Sequence, residues 1–77
     1  MEFHIYPNPA SDRVYLENTG NCCQLSLLNM VGQTVRMMKP DGMNKCEMKL
    51  SDLDEGIYFI RCMDKDENVC IKRVIKK

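Results

Sequence analysis

The residues best equipped for chemistry in this 77-residue chain are five cysteines, a single histidine and two short acidic clusters. A nucleophilic triad needs a base beside its nucleophile. His4 is the lone histidine, it stands next to a Pro-rich stretch, and no cysteine lies in a sequence resembling a strained nucleophile turn. Catalysis is therefore not assigned to any residue, and the chain is not expected to be an enzyme. Zinc sites pair their ligands two to four residues apart, whereas Cys22 and Cys23 are adjacent and would point to opposite faces of a strand. The clusters Asp52, Asp54, Glu55 and Asp64, Asp66, Glu67 sit where turns are expected. The second has the odd spacing of a calcium loop but lacks its glycine and distal glutamate, so both are taken as turn formers. No metal or cofactor is called for.

Cys62 and Cys70 flank the turn 64–68. A three-residue loop at 65–67 would set them directly opposite each other across a hairpin. Two arrangements fit that placement: a Cys62–Cys70 disulfide, or a pair of thiols packed as small apolar side chains. The odd cysteine count leaves at least one thiol unpaired within the chain.

The elements that would hold these residues follow from a hydrophobic period near two, punctuated by Gly, Pro, Asn and Asp. Expected strands are 3–6, 13–17, 22–30, 33–38, 45–50, 57–63 and 69–75. In 45–50 the alternation is plain, with Cys46, Met48 and Leu50 inward and charged residues outward. Pro7 and Pro9 stop the first strand. Gly32 supplies a positive φ to a tight hairpin. Leu53 plugs the core from the polar corner 51–56, and most of the seven methionines, Met37, Met48 and Met63 among them, are expected as core filler. The fold class is all-β: a single small immunoglobulin-like antiparallel β-sandwich of about seven strands over residues 1–77.

Composition closes off other classes. Eleven basic and eleven acidic residues cancel, so the electrostatic footprint that binds nucleic acid is missing. Basic bias is confined to Lys72, Arg73, Lys76 and Lys77, which suits a soluble sheet edge. No apolar run reaches bilayer-spanning length, so membrane insertion is not expected. Three tyrosines, two phenylalanines and no tryptophan make a poor stacking platform for sugars or single strands.

Four blocks in order nonetheless carry a resemblance: Ile5-Tyr6-Pro7-Asn8-Pro9-Ala10-Ser11-Asp12, then 27–35 around Gly32, then 50–58 ending in Gly56-Ile57-Tyr58, then Ile71-Lys72-Arg73-Val74-Ile75-Lys76-Lys77. Together they resemble the type A C-terminal sorting domain of the type IX (Por) secretion system of Bacteroidetes. The resemblance implies a C-terminal address on an excised domain of a larger secreted protein, attached behind an N-terminal cargo. It implies passage through the periplasm, transport across the outer membrane by the type IX machinery, release to the cell surface or medium, and removal by a sortase-like protease. Carried over residue by residue, the sorting-motif candidates are Asn8, Pro9, Asp12, Gly32, Gly56, Tyr58, Lys72, Lys76 and Lys77. Two departures from the family pattern stand out: cysteines replace expected aliphatic residues at positions 46, 62 and 70, and Asn29 replaces a common aspartate. The competing expectation, from fold alone, is a generic immunoglobulin-like adhesion or spacer domain of a cell-surface protein.

Overall fold

The computed structural model describes residues 3–77. Its strands are β1 (His4–Tyr6), β2 (Arg13–Glu17), β3 (Cys22–Leu28), β4 (Thr34–Met38), β5 (Lys45–Lys49), β6 (Gly56–Asp64) and β7 (Val69–Lys76). They form a three-stranded sheet in the order β1-β2-β5 and a four-stranded sheet in the order β4-β3-β6-β7, with every strand pair antiparallel. Lettered in the immunoglobulin manner, this is A-B-E facing C′-C-F-G.

Alternation builds the core. Val14 and Leu16 from β2 and Cys46 and Met48 from β5 point inward, and meet Leu25 and Leu27 from β3, Tyr58, Ile60 and Cys62 from β6, and Val74 from β7. Phe3 and Leu50 are fully buried at strand ends, and Leu53 packs against the same cluster. Complete burial of each large apolar side chain contributes about 1.5–3 kcal/mol.

The methionines depart from expectation. Met48 is core, but Met30, Met37 and Met43 are exposed. Met37 lies opposite Ser26 on β3, one position out of phase with the inward Leu25–Met38 pair, so the period of two puts it outside. The third strand also ends at Leu28, two residues early. There the Asn29 side chain takes over: its Oδ1 accepts the amides of Val31 (3.1 Å) and Gln33 (3.0 Å), closing a three-residue loop at 30–32. Gly32, at φ 87°, occupies its left-handed position as expected. Asn29 thus fills the aspartate-like role of the loop despite the departure in residue type.

The last hairpin repeats this design. Asp64 Oδ1 accepts the amides of Asp66 and Asn68, both at 2.9 Å, around the loop 65–67. Here Glu67, at φ 66°, takes the position that glycine holds in the first loop. The register that follows sets Cys62 opposite Cys70, as the loop length requires.

The bond itself falls elsewhere. Cys62 is joined to Cys22, at a Cα separation of 5.8 Å, and Cys70 remains a free, half-buried thiol. β6 lies between β3 and β7, so Cys62 has a cysteine on either side, and the hairpin spacing pointed to only one of them. A β-bulge between Cys22 and Gln24 absorbs Cys23 as the extra residue. Cys22 is thereby turned inward and Cys23 left exposed.

Candidate functional site

The sequence motifs that lie far apart in the chain meet at one end of the four-stranded sheet. The opening segment runs along the outer edge of β7, where an unpaired strand would otherwise offer free amides and carbonyls. Asn8 does the closing. Its Nδ2 donates to the Arg73 carbonyl at 3.0 Å and its Oδ1 accepts the Ile75 amide at 3.0 Å, so one side chain stands in for a strand residue. Ala10 continues the contact through its backbone: its amide donates to Ile75 O (2.8 Å), and its carbonyl accepts the Lys77 amide (2.7 Å), in a short parallel bridge. The Tyr6–Pro7 and Asn8–Pro9 peptide bonds that frame Asn8 are both cis.

The corner motif lies alongside. Gly56 pairs with Lys76 and Tyr58 with Val74 across β6 and β7. Tyr58 is 8% exposed, and its hydroxyl donates to the Asp54 carbonyl at 2.8 Å. That bond, from the start of the F-equivalent strand back to the preceding turn, has the form of a tyrosine corner. The loop carrying Gly32 completes the group, since Asn29, Met30 and Val31 line a shallow recess with Gly56, Ile57 and Tyr58. Met30 and Val31 are 66% and 79% exposed at its rim. Asp12, on the same segment as Asn8, contributes its carbonyl to the Leu50 amide (2.7 Å), which anchors the chain as it enters β2. Pro9 is exposed beside them.

The basic tail is not one surface. Lys72 and Lys76 alternate with Arg73 and Ile75, so they stand on the side of β7 that carries buried Val74, and both are half-buried. Lys76 Nζ donates to the Lys77 carbonyl (2.6 Å), and Lys77 is exposed at the strand's end. Arg73 faces the opposite way. The period of two divides a run that looks continuous in sequence.

The two outer faces differ in character. On the three-stranded sheet, Arg13 pairs with Glu47 (2.8 Å), Lys45 with Glu17 (3.4 Å), and the Tyr6 and Tyr15 rings stack at 5.6 Å. The four-stranded sheet instead presents Val35, Met37, Val69 and Ile71, with Arg61 and Arg73 among the outward positions. Neither arginine takes part in an ion pair among the described residues.

Arg36 ties the sheets together on the far edge. It forms a two-pronged pair with Asp52, at 2.8 and 3.2 Å, and also donates to the Lys49 carbonyl. The Arg36 hydrogen bond is the main reason the Asp52 carboxyl titrates below its ordinary value. The Asp64 carboxyl is lowered too, chiefly by the Asn68 amide. Both acidic clusters therefore supply turn and bridge formers. Thr19 escaped the sequence reading: it is fully buried, and its hydroxyl donates to the Met43 carbonyl at 2.7 Å. Nothing in the turn-like run 18–21 marked it as inward.

These features define a small two-sheet β-domain of immunoglobulin-like connectivity, most of whose motif residues lie toward one pole, with Lys72 farther along the sheet opposite Ile60. The family model for the secretion system C-terminal sorting domain matches residues 4–77. The chain belongs to that family, the C-terminal sorting domains of type IX secretion, which is a family of sorting signals and not of catalysts. No curated protein matches the chain. Membership makes this domain a sorting signal for the type IX system, with a cargo on its N-terminal side and export to the cell surface or beyond.

Proposed function

We propose that the domain directs a cargo fused before it through the periplasm and across the outer membrane, and that a sortase-like protease then removes it. In this reading the chain is one domain of a larger secreted protein, and it acts as a ligand for the machinery. The observation that carries the proposal is the convergence of all four family motifs on one pole: Asn8 and Pro9, the Gly32 loop, the Gly56–Tyr58 corner and the end of β7. Each of these residues also has a folding role, so what supports the reading is that they gather with the end of the terminal strand.

The test is a fusion of the chain behind a reporter bearing an export signal, expressed in a host that has the type IX machinery. The reporter is expected outside the cell, and removal of 72–77 is expected to hold it in the periplasm. Periplasmic retention of the intact fusion, with the domain folded, refutes the proposal.

A further inference from the structure

Three cysteines form a staggered row on the core side of the four-stranded sheet: Cys62 and Cys70 are register partners, while Cys22 lies opposite Asp64, beyond the bulge at Cys23. The strand order β3-β6-β7 sets Cys62 in the middle, with Cys22 on one flank and Cys70 on the other. Cys22 and Cys62 are bonded, and Cys70 is a free thiol that packs against the same apolar cluster. We propose that this row is a thiol–disulfide exchange site, in which Cys62 is shared between two alternative disulfides.

The geometry of the row suits the chemistry. Exchange proceeds by attack of a thiolate on one sulfur of a disulfide while the other sulfur leaves. Cys70 is carried on β7 and Cys22 on β3, the two strands that flank β6, so the attacking and leaving residues reach Cys62 from different neighbouring strands. Cys62 and Cys70 are register partners. The Asp64–Asn68 hydrogen bond two residues along makes theirs a hydrogen-bonded pair, whose Cα atoms stand about 5.5 Å apart. A disulfide takes Cα atoms about 4.4–6.8 Å apart, which this register meets, and Cβ atoms about 3.5–4.5 Å apart, so forming it draws the two side chains of this wider pair together by about 1 Å. Cys70 loses its proton to solvent, its sulfur bonds to Cys62, and Cys22 leaves as a thiolate that takes up a proton. One S–S bond breaks and one forms, with no net oxidation.

The exchange changes what is fastened. In the observed state the bond ties β3 to β6, and β7 is held by its ladder and by Asn8. In the alternative state the same bond staples β7 to β6. The site rests on the cysteine row alone and stands or falls independently of the secretion reading.

Peptide mapping tests it directly. The full chain carrying Cys23→Ser, which removes the exposed neighbour of Cys22, is equilibrated in a glutathione buffer at pH 8.5, acid-quenched, alkylated and digested with trypsin without reduction. Cleavage after Arg61, Lys65 and Lys72 puts Cys62 and Cys70 on separate peptides. Two cross-linked species are expected, Cys22–Cys62 and Cys62–Cys70, with the second lost in Cys70→Ser. In Cys22→Ser, Cys62–Cys70 is expected as the sole bond. A parent chain that yields Cys22–Cys62 alone at every time point overturns the proposal, and this measurement needs no core substitution. A folded Cys22→Ser chain with Cys62 and Cys70 both reduced, under conditions that oxidise the parent, overturns it as well.

Discussion

The two three-residue hairpin loops share one backbone hydrogen-bond pattern but carry different residues at the left-handed position, and this makes a quantitative prediction. In both loops the flanking residues exchange the same bonds: Asn29 N to Gln33 O and Asp64 N to Asn68 O at 3.0 Å, with Gly32 N to Asn29 O at 3.0 Å and Glu67 N to Asp64 O at 3.1 Å. The left-handed position is glycine in the first (φ 87°) and glutamate in the second (φ 66°). A Cβ placed on Gly32 would meet nothing within 4 Å, so Gly32→Ala is charged only for its backbone conformation. That costs roughly 1–2 kcal/mol, offset by about 0.4–1 kcal/mol from the stiffer unfolded chain. The net expectation is a loss of about 1 kcal/mol. Glu67→Gly reverses both quantities and is expected to gain a similar amount. For a domain of this size 1 kcal/mol moves Tm by about 4–8 °C, readily followed by circular dichroism. The loops lie at opposite ends of the sheet, so the double substitution should return to the parent stability within about 0.5 kcal/mol. A neutral Gly32→Ala, or a Glu67→Gly that lowers Tm, would refute the shared-loop argument.

Other expectations follow from single contacts. Asn8→Ala removes two hydrogen bonds from the edge of β7. It should cost about 1–2 kcal/mol and accelerate hydrogen exchange at the Ile75 amide, while Met63 and Ile60 amides in β6 stay protected. Tyr58→Phe deletes the bond to the Asp54 carbonyl and should lower stability by about 1 kcal/mol without altering the strand content seen by circular dichroism. Asp52 and Asp64 titrate lower folded than unfolded. The unfolded chain therefore takes up more protons as pH falls through its own carboxylate value, near about 4. Stability is full above that value and declines below it, down through the folded values. Denaturant midpoints between neutral pH and pH 3 should show the fall, and Asp64→Asn should make it shallower.

Strand positions were legible because each strand is half-buried, and a half-buried strand writes its period of two into the sequence. Arg13–Glu17 matches expectation end for end, and Lys45–Lys49 stops one residue short of the expected 45–50. Gly32 and the 65–67 loop were equally legible, since backbone conformation and loop length are local properties. What failed depended on partners. The Cys22–Cys62 bond joins residues 40 apart, and needs both the strand order and the bulge at Cys23, neither of which any local window contains. The tail lysines look continuous in sequence and divide in space. Asn8 was marked as a motif residue, but its grip on a strand some 65 residues away was invisible without the sheet that brings the two together.

The position of Asn8 also governs how a load would be carried. β1 runs from His4, opposite Glu17, toward the pole where Ala10 meets Lys76. The polypeptide therefore enters the sandwich at one end, and Lys77 lies at the other, across a body whose longest dimension is 32 Å. A passenger folded ahead of Phe3 would hang from the far end and leave the motif pole unobstructed. Tension pulling on that passenger would reach the terminal strand through β1, the Asn8 side chain and the Ala10 backbone, so the same clasp that seals the sheet edge would also carry the load between a cargo and its address.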